Sequence, residues 1–212
     1  MRTEELIDAL AADTPAAPAG SAARRLALAA LVGALAAFVL VAWLGPRPDL
    51  ARAVGEAAFW MKSGYALALA GAGAALAERL GSPGIRVGGR WLMAVAPVVG
   101  LAAIAGISSA VLSYDQMHRA MMGHSWRLCP RRILALAVPT FAAALWAFRR
   151  LAPTRLVLAG FAAGMLAGGV GASVYALACD ETGALFVVVW YSLGVLACGG
   201  VGALLVPAIA IV

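Results

Sequence analysis

Two cysteines, Cys129 and Cys179, are the residues of this chain best suited to chemistry, because a thiol can form a disulfide, react with an oxidant or bind a soft metal ion. The third cysteine, Cys198, lies among alanine and glycine residues, and we expect it to be a small buried hydrophobic side chain. His118 and His124 precede Cys129 in a methionine-containing segment whose soft ligands could recruit Zn(II), Cd(II) or Cu(I). No ligand pair there has the short spacing of a structural zinc site, so we expect a solvated loop rather than a preformed metal site.

The cysteine pair allows three interpretations, which are a structural disulfide, a reactive pair that senses oxidants or thiophilic metals, and chance placement. The chain has no CxxC motif, which argues against a membrane thiol-disulfide oxidoreductase that passes electrons through a vicinal pair. It also has no glycine-rich phosphate loop and no GxSxG motif. The sequence therefore predicts a protein that is not an enzyme and that needs no cofactor.

The elements that must position these residues are transmembrane helices. Of the 212 residues, 64% are hydrophobic and 12% are charged, whereas soluble domains carry about 25% charged residues. The apolar runs are long and do not alternate, which favours helices over barrel strands. We predict an all-α polytopic bundle with a transmembrane domain over residues 26–212. Its six predicted spans are residues 26–44, 57–77, 91–112, 133–148, 156–177 and 184–211.

The fourth and fifth spans form an antiparallel hairpin through the turn RRLAPTR, so Cys129 and Cys179 are expected at the same membrane face. With six spans both termini lie on one side. Placing them inside gives nine basic residues on the inner side and seven on the outer side, which favours cytoplasmic termini. The cysteines would then face an oxidising compartment outside the inner membrane of a bacterium. We expect the first span to be an uncleaved anchor, because its apolar run is longer than a signal-peptide core.

Within the predicted spans, Lys62 is the one ionisable side chain, and it lies near a span end. This scarcity of charge argues against a proton-coupled transporter, although a transporter for a small solute or a metal stays as an alternative. Gly160, Gly164 and Gly168 form two overlapping GxxxG steps in the fifth span. Such a groove lets another helix approach closely, either within the bundle or in a homodimer.

The first 25 residues differ from the rest of the chain. Leu6, Ile7 and Leu10 form one apolar face if this segment is helical. Its acidic residues are Glu4, Glu5, Asp8 and Asp13. The stretch TPAAPAGSA follows as a flexible linker. A helix of about ten residues is marginal in water, so we expect it to order in the groove of a cytoplasmic protein, with a disordered tail or a membrane-skimming cap as the alternatives.

These features together resemble the NrsF-like integral membrane anti-sigma factors. The resemblance covers nearly the whole chain and depends on TEELIDALAAD near the start, APTRLVLAGFAAGMLAGGVGASVYALAC in the second half, and VVWYSLG after it. Cys129 and Cys179 match the family's two outward-facing cysteines. Asp180 is a departure, because the family pattern there is Cys-Pro-Glu.

The resemblance implies that the chain holds an extracytoplasmic-function sigma factor inactive at the inner membrane. The residues expected to bind the sigma factor are Glu4, Leu6, Ile7, Asp8, Leu10 and Asp13. Oxidants or heavy metals acting at Cys129 and Cys179 would release it. The other expected contact is the lipid bilayer, with a second copy of the chain in a homodimer as the alternative use of the GxxxG face. The basic residues are scattered between apolar runs, and no direct nucleic-acid contact is expected.

Overall fold

The computed structural model describes residues 2–5, 20–81, 88–149, 151 and 153–210, and these residues contain helices and connecting turns but no strand. The helices are α1 (Ser21–Leu44), α2 (Leu50–Ala53), α3 (Ala57–Leu80), α4 (Leu92–Ser109), α5 (Tyr114–Met122), α6 (Cys129–Phe148), α7 (Leu156–Tyr175), α8 (Ala184–Phe186) and α9 (Ser192–Ala210). A 3₁₀ turn at Gly88–Trp91 leads into α4, and a π-helical turn at Val187–Tyr191 joins α8 to α9. The prediction of an all-helical fold is confirmed for this part of the chain.

Five stretches of the described residues are long and apolar enough to cross a membrane. They are Ser21–Leu44, Gly88–Ser109, Cys129–Phe148, Leu156–Tyr175 and Ala184–Ile209. Helix α3, predicted as the second of six spans, is not among them, so the count of six is not confirmed. Its 24 residues are long enough to cross, but it carries Lys62 near its start and a charged pair, Glu78 and Arg79, near its end.

The segment before Cys129 corrects the prediction of a solvated loop. It contains α5, whose N-terminus has a capping box. The Ser113 hydroxyl accepts a hydrogen bond from the Gln116 backbone N–H at 3.4 Å, and the Gln116 side chain accepts one from the Ser113 N–H at 2.9 Å. These reciprocal bonds satisfy donors that would otherwise lack partners at the helix start. Helix α6 also begins before the predicted fourth span, because Pro130 in its first turn favours helix initiation there.

Helix α7 lies at the centre of the bundle, and its glycines allow neighbouring backbones to approach it closely. An added Cβ at Gly160 or Gly164 would overlap the backbone of α9 at Gly202 or Cys198, respectively. Gly169, on another face of α7, is in close contact with Ala70 of α3. The GxxxG steps therefore serve packing within the bundle, which was one of the two predicted uses.

We expect Gly164→Ala to lower the stability of the fold by about 1–3 kcal/mol, because the new methyl group would overlap the Cys198 carbonyl rather than a movable side chain. Gly71→Ala in α3 is the matched control, since nothing lies within 4 Å of its added Cβ. Thermal unfolding of both variants in the same detergent measures the difference. Equal melting temperatures would contradict the proposed close packing of α7 on α9.

The bundle has two distinct packed ends. At one end, Leu26 near the start of α1 belongs to the same buried cluster as Leu80 at the end of α3 and Phe148 at the end of α6. At the other end, Cys129 at the start of α6 belongs to a second cluster with Cys179, which follows α7. Helices α1 and α3 each contain 24 residues, a length of about 36 Å. The cysteines therefore lie at the end of the bundle away from the start of α1.

Candidate functional site

Cys129 and Cys179 lie in one buried cluster and are free thiols in this structure. Their exposed fractions are 0% and 1%. Cys129 is the first residue of α6, and Cys179 follows the last turn of α7, so the α6–α7 hairpin places both at the same end of the bundle. We call the group formed by Arg47, Lys62, Cys129, Cys179 and Glu181 the cysteine cluster.

Lys62 of α3 is the most unusual member of the cysteine cluster, because its exposed fraction is 0%. Its ammonium donates hydrogen bonds to the backbone carbonyls of Cys179, at 2.6 Å, and Glu181, at 2.9 Å. None of the described carboxylates forms an ion pair with it. The sequence placed Lys62 near a span end, where a lysine normally extends to the headgroups. The structure instead directs it inward, to the loop that carries Cys179.

Arg47 brings a second cation to the same carbonyl. Its Nη1 donates to the Cys179 oxygen at 3.3 Å, and its backbone N–H donates to the Leu177 oxygen at 3.1 Å. The other guanidinium nitrogens form a two-point ion pair with Asp49, at 2.6 and 2.7 Å. This hydrogen bonding lowers the pKa of Asp49 from 3.8 to about 2, and it raises the pKa of Arg47. Through the bonds of Arg47 to the Cys179 and Leu177 carbonyls, the α1–α2 connection is bound to the turn that ends at Cys179.

Glu181 connects the Cys179 loop to the segment that precedes Cys129. Its Oε1 accepts hydrogen bonds from the backbone N–H groups of His124, at 2.5 Å, and Ser125, at 3.2 Å. Gly123 has a φ of +53°, which favours glycine, and an added Cβ there would lie 2.5 Å from that oxygen, so a larger residue would also displace the carboxylate. The Ser125 carbonyl in turn accepts the Cys129 N–H at 2.8 Å. One carboxylate therefore connects the two cysteine-bearing segments.

Two tyrosines, Tyr175 and Tyr191, belong to the same buried hydrophobic cluster as the two cysteines. The rings of Tyr175 and Tyr191 lie 6.1 Å apart, and the guanidinium of Arg132 lies 5.9 Å from the Tyr175 ring. The Tyr191 side chain is fully buried. A cavity of about 220 Å³ opens beside Arg132 and Tyr175, and Gly45 and Ala178 also line it. Ala178, which lines this cavity, is the residue that precedes Cys179.

The two histidines do not join the cluster as metal ligands. His118 is exposed on α5. The exposed imidazole of His124 lies 3.8 Å from the Glu181 carboxylate. Across the described ranges, no group of three or more His, Cys, Asp or Glu side chains could hold a metal ion. Cys198 is buried, as expected, and it packs against Gly168 of α7.

Most of the predicted sigma-factor-binding residues lie outside the described part of the chain. These residues are Leu6, Ile7, Asp8, Leu10 and Asp13. Glu4 and Glu5 are described, and both are exposed in a short helical segment. The Arg2 backbone N–H donates to the Glu5 carboxylate at 3.0 Å, a contact of the kind that helps a helix to begin. Their predicted role in binding therefore stays a prediction.

The cysteine pair lies beside two cations and is shielded from bulk water. Nearby cations favour the reactive thiolate, whereas burial disfavours it, so the reactivity of the pair depends on local opening. Sequence reasoning identified both thiols but missed Arg47 and Glu181. The signal that was available for Lys62 was its position as a lone charge within an apolar run.

Known proteins match this chain over nearly its full length. The family model NrsF, described as negative regulator of sigma F, matches residues 10–210. An anti-sigma-F factor NrsF from Caulobacter vibrioides is 47% identical over 205 residues, which cover 95% of each chain. A probable anti-sigma-F factor NrsF from Azospira oryzae is 44% identical over 210 residues, covering 97% of each. No solved structure matches. With a family match over nearly its full length, this chain belongs to the NrsF family of negative regulators of sigma F.

Proposed function

We propose that this chain is a membrane-bound anti-sigma factor that holds an extracytoplasmic-function sigma factor at the bacterial inner membrane. In this proposal the N-terminal segment, residues 1–25, binds the sigma factor in the cytoplasm. Stress chemistry at Cys129 and Cys179 on the periplasmic side weakens that binding. The family description and the names of the relatives support regulation of a sigma factor, and the class of sigma factor and the signal are our inference.

The proposal has six spans, with α3 as the second, and its cytoplasmic termini follow from the distribution of basic residues in the sequence. Helix α3 runs from the end that contains the cysteine cluster, at Lys62, to the opposite end, at Leu80. It is as long as α1, with 24 residues. Many of its residues are buried against the rest of the bundle, and among them Lys62 donates hydrogen bonds to two backbone carbonyls. A helix shielded in this way tolerates lower hydropathy than one exposed to lipid.

The observation that carries the sensor proposal is the convergence of four segments on the cysteine pair. Lys62 of α3 and Arg47 of the α1–α2 connection both bind the Cys179 carbonyl, and Glu181 holds the backbone that precedes Cys129. A change at either sulfur therefore displaces groups bonded to several helices at once. The signal can shift the equilibrium only if the modified thiols favour the state that binds sigma factor poorly.

Fractionation of cells that contain the chain and its sigma factor tests the proposal. Before treatment, the sigma factor is expected in the membrane fraction. After treatment with an oxidant or with cadmium, it is expected in the soluble fraction, while the chain itself stays in the membrane. A sigma factor that is soluble under both conditions would contradict sequestration at the membrane. One that stays membrane-bound after every treatment would contradict the sensor.

A further inference from the structure

Lys62 has a role that packing alone does not explain. Its ammonium is fully buried, and its two acceptors are neutral carbonyls rather than a carboxylate. A cation buried in a membrane protein is costly and usually marks a functional position. The ionisable groups close enough to interact electrostatically with the ammonium are Arg47, Cys129, Cys179 and Asp180. Of these, Arg47 is another cation, and Asp180 is exposed.

We propose that Lys62 couples the chemical state of the cysteine pair to the position of helix α3. This inference rests on the proposed function and deepens it, because it names the residue through which a change at the thiols would reach the rest of the bundle. Lys62 is a positioning residue in this scheme, and it does not itself react.

The coupling follows from where the two acceptors lie. Both carbonyls belong to the short loop that carries the Cys179 sulfur, and one of them is the carbonyl of Cys179 itself. A disulfide needs Cα atoms within about 7 Å and a defined torsion about the S–S bond. Forming it would therefore fix the Cys179 backbone relative to Cys129 at the start of α6, and any shift that this requires would move both carbonyls. The ammonium must then follow the carbonyls or lose its hydrogen bonds inside the protein.

The side-chain stem of Lys62 transmits this displacement to α3. Lys62 lies in the second turn of a helix that packs closely along α7, with Gly73 against Leu166 and Ala70 against Gly169. Packed interfaces of this kind move between discrete arrangements rather than deforming smoothly. Helix α3 ends at Leu80, in the cluster at the opposite end of the bundle. It is therefore an element that connects the thiols with the other membrane face.

Amide hydrogen exchange on the full chain in lipid nanodiscs tests the coupling without any sigma factor. The disulfide is formed with diamide, an azo oxidant. One S–S bond forms and two S–H bonds break, and the two protons and two electrons reduce the N=N bond to a hydrazine. Mass spectrometry verifies the Cys129–Cys179 bond, and exchange is followed over residues 57–66 in the reduced and oxidised states.

In the unmodified sequence, oxidation is expected to speed exchange over these residues about tenfold. In Lys62→Met, whose side chain has similar length and no charge, the ratio between the two states is expected to be about 1. Ser63→Ala is the control on the same helix turn. The Ser63 hydroxyl makes no hydrogen bond with any residue that the structure describes, so this variant is expected to keep the full response.

Unchanged exchange in the oxidised unmodified sequence, or failure of the disulfide to form, would overturn the proposal. An equal response in Lys62→Met would also overturn it. If that variant does not fold, the unmodified sequence still tests the proposal, because unchanged exchange after oxidation overturns it. A response in α3 without release of sigma factor in cells would leave the coupling intact and would contradict the proposed function alone.

Discussion

Deletion of residues 2–13 is expected to abolish capture of the sigma factor while leaving the bundle in the membrane. The deleted segment contains the apolar residues Leu6, Ile7 and Leu10 and four carboxylates. Apolar anchors in a helix-in-groove contact each contribute about 2 kcal/mol, or about 30-fold in Kd. Losing three of them would remove measurable binding. Co-purification of the sigma factor with the tagged chain from detergent-solubilised membranes measures the loss.

The bundle itself should be unaffected, because α1 begins at Ser21 and none of its described packing involves the deleted residues. Replacing residues 14–19 with a Gly/Ser stretch of equal length is the matched control. The exchanged residues, TPAAPA, contain no acidic side chain and none of the apolar anchors. Capture should therefore persist. Full capture by the deletion variant would move the sigma-factor contact to other cytoplasmic loops.

A double substitution, Leu6→Asp with Leu10→Asp, separates the apolar face from mere chain length. It keeps every residue of the tether but places two charges on the face expected to enter a groove, where unpaired charges are strongly unfavourable. Capture is expected to fall as far as in the deletion variant. Binding carried mainly by the carboxylates would instead survive this change, and it would depend steeply on salt concentration.

The sequence was informative about the large-scale arrangement for simple reasons. Long apolar runs determine where helices cross, and a hairpin must return to the face from which it started. That reasoning is sufficient to predict that Cys129 and Cys179 lie at one end of the bundle. The GxxxG steps at Gly160 and Gly164 likewise predicted close helix packing, and the structure shows α9 as the partner.

The interior of the site could not be predicted, because it depends on contacts between residues that are far apart in the chain. Lys62 binds carbonyls more than 100 positions away. Hydropathy shows that a lysine interrupts an apolar run, but not which way its side chain points. Glu181 was similarly hidden, because its partners are backbone N–H groups of His124 and Ser125 rather than recognisable side chains.

Helix α5 could have been predicted from the sequence, because the residues that indicate its start lie only three positions apart. Ser113 and Gln116 have the spacing of a capping box, and Asp115 adds an acidic residue in the first turn. The histidines and methionines of this segment suggested metal binding and a loop, and the cap was overlooked. The spacing of Ser113 and Gln116 therefore indicates this helix better than the composition of the segment does.

Replacing Cys129 or Cys179 with serine is expected to leave the sigma factor bound and to remove its release by oxidants or cadmium. Serine is nearly the same size, so the buried cluster should still pack, but a hydroxyl forms no disulfide and binds soft metals poorly. Couplings between sites in one protein typically span about 5–150-fold in affinity. The induced change in sigma-factor retention should fall from that range to none in either variant, as measured by fractionation of treated cells.

Cys198→Ala provides the control that makes this result specific. Cys198 is also buried and free, but its side chain lies beside Gly168 of α7 inside the bundle, and Lys62 donates its hydrogen bonds to the Cys179 loop instead. Its loss should leave release unchanged, because alanine keeps the small apolar character of the site. A normal response in both Cys129→Ser and Cys179→Ser would show that the pair is structural. A normal response in only one of them would show that a single thiol senses the signal, which would exclude a Cys129–Cys179 disulfide as the signalling form.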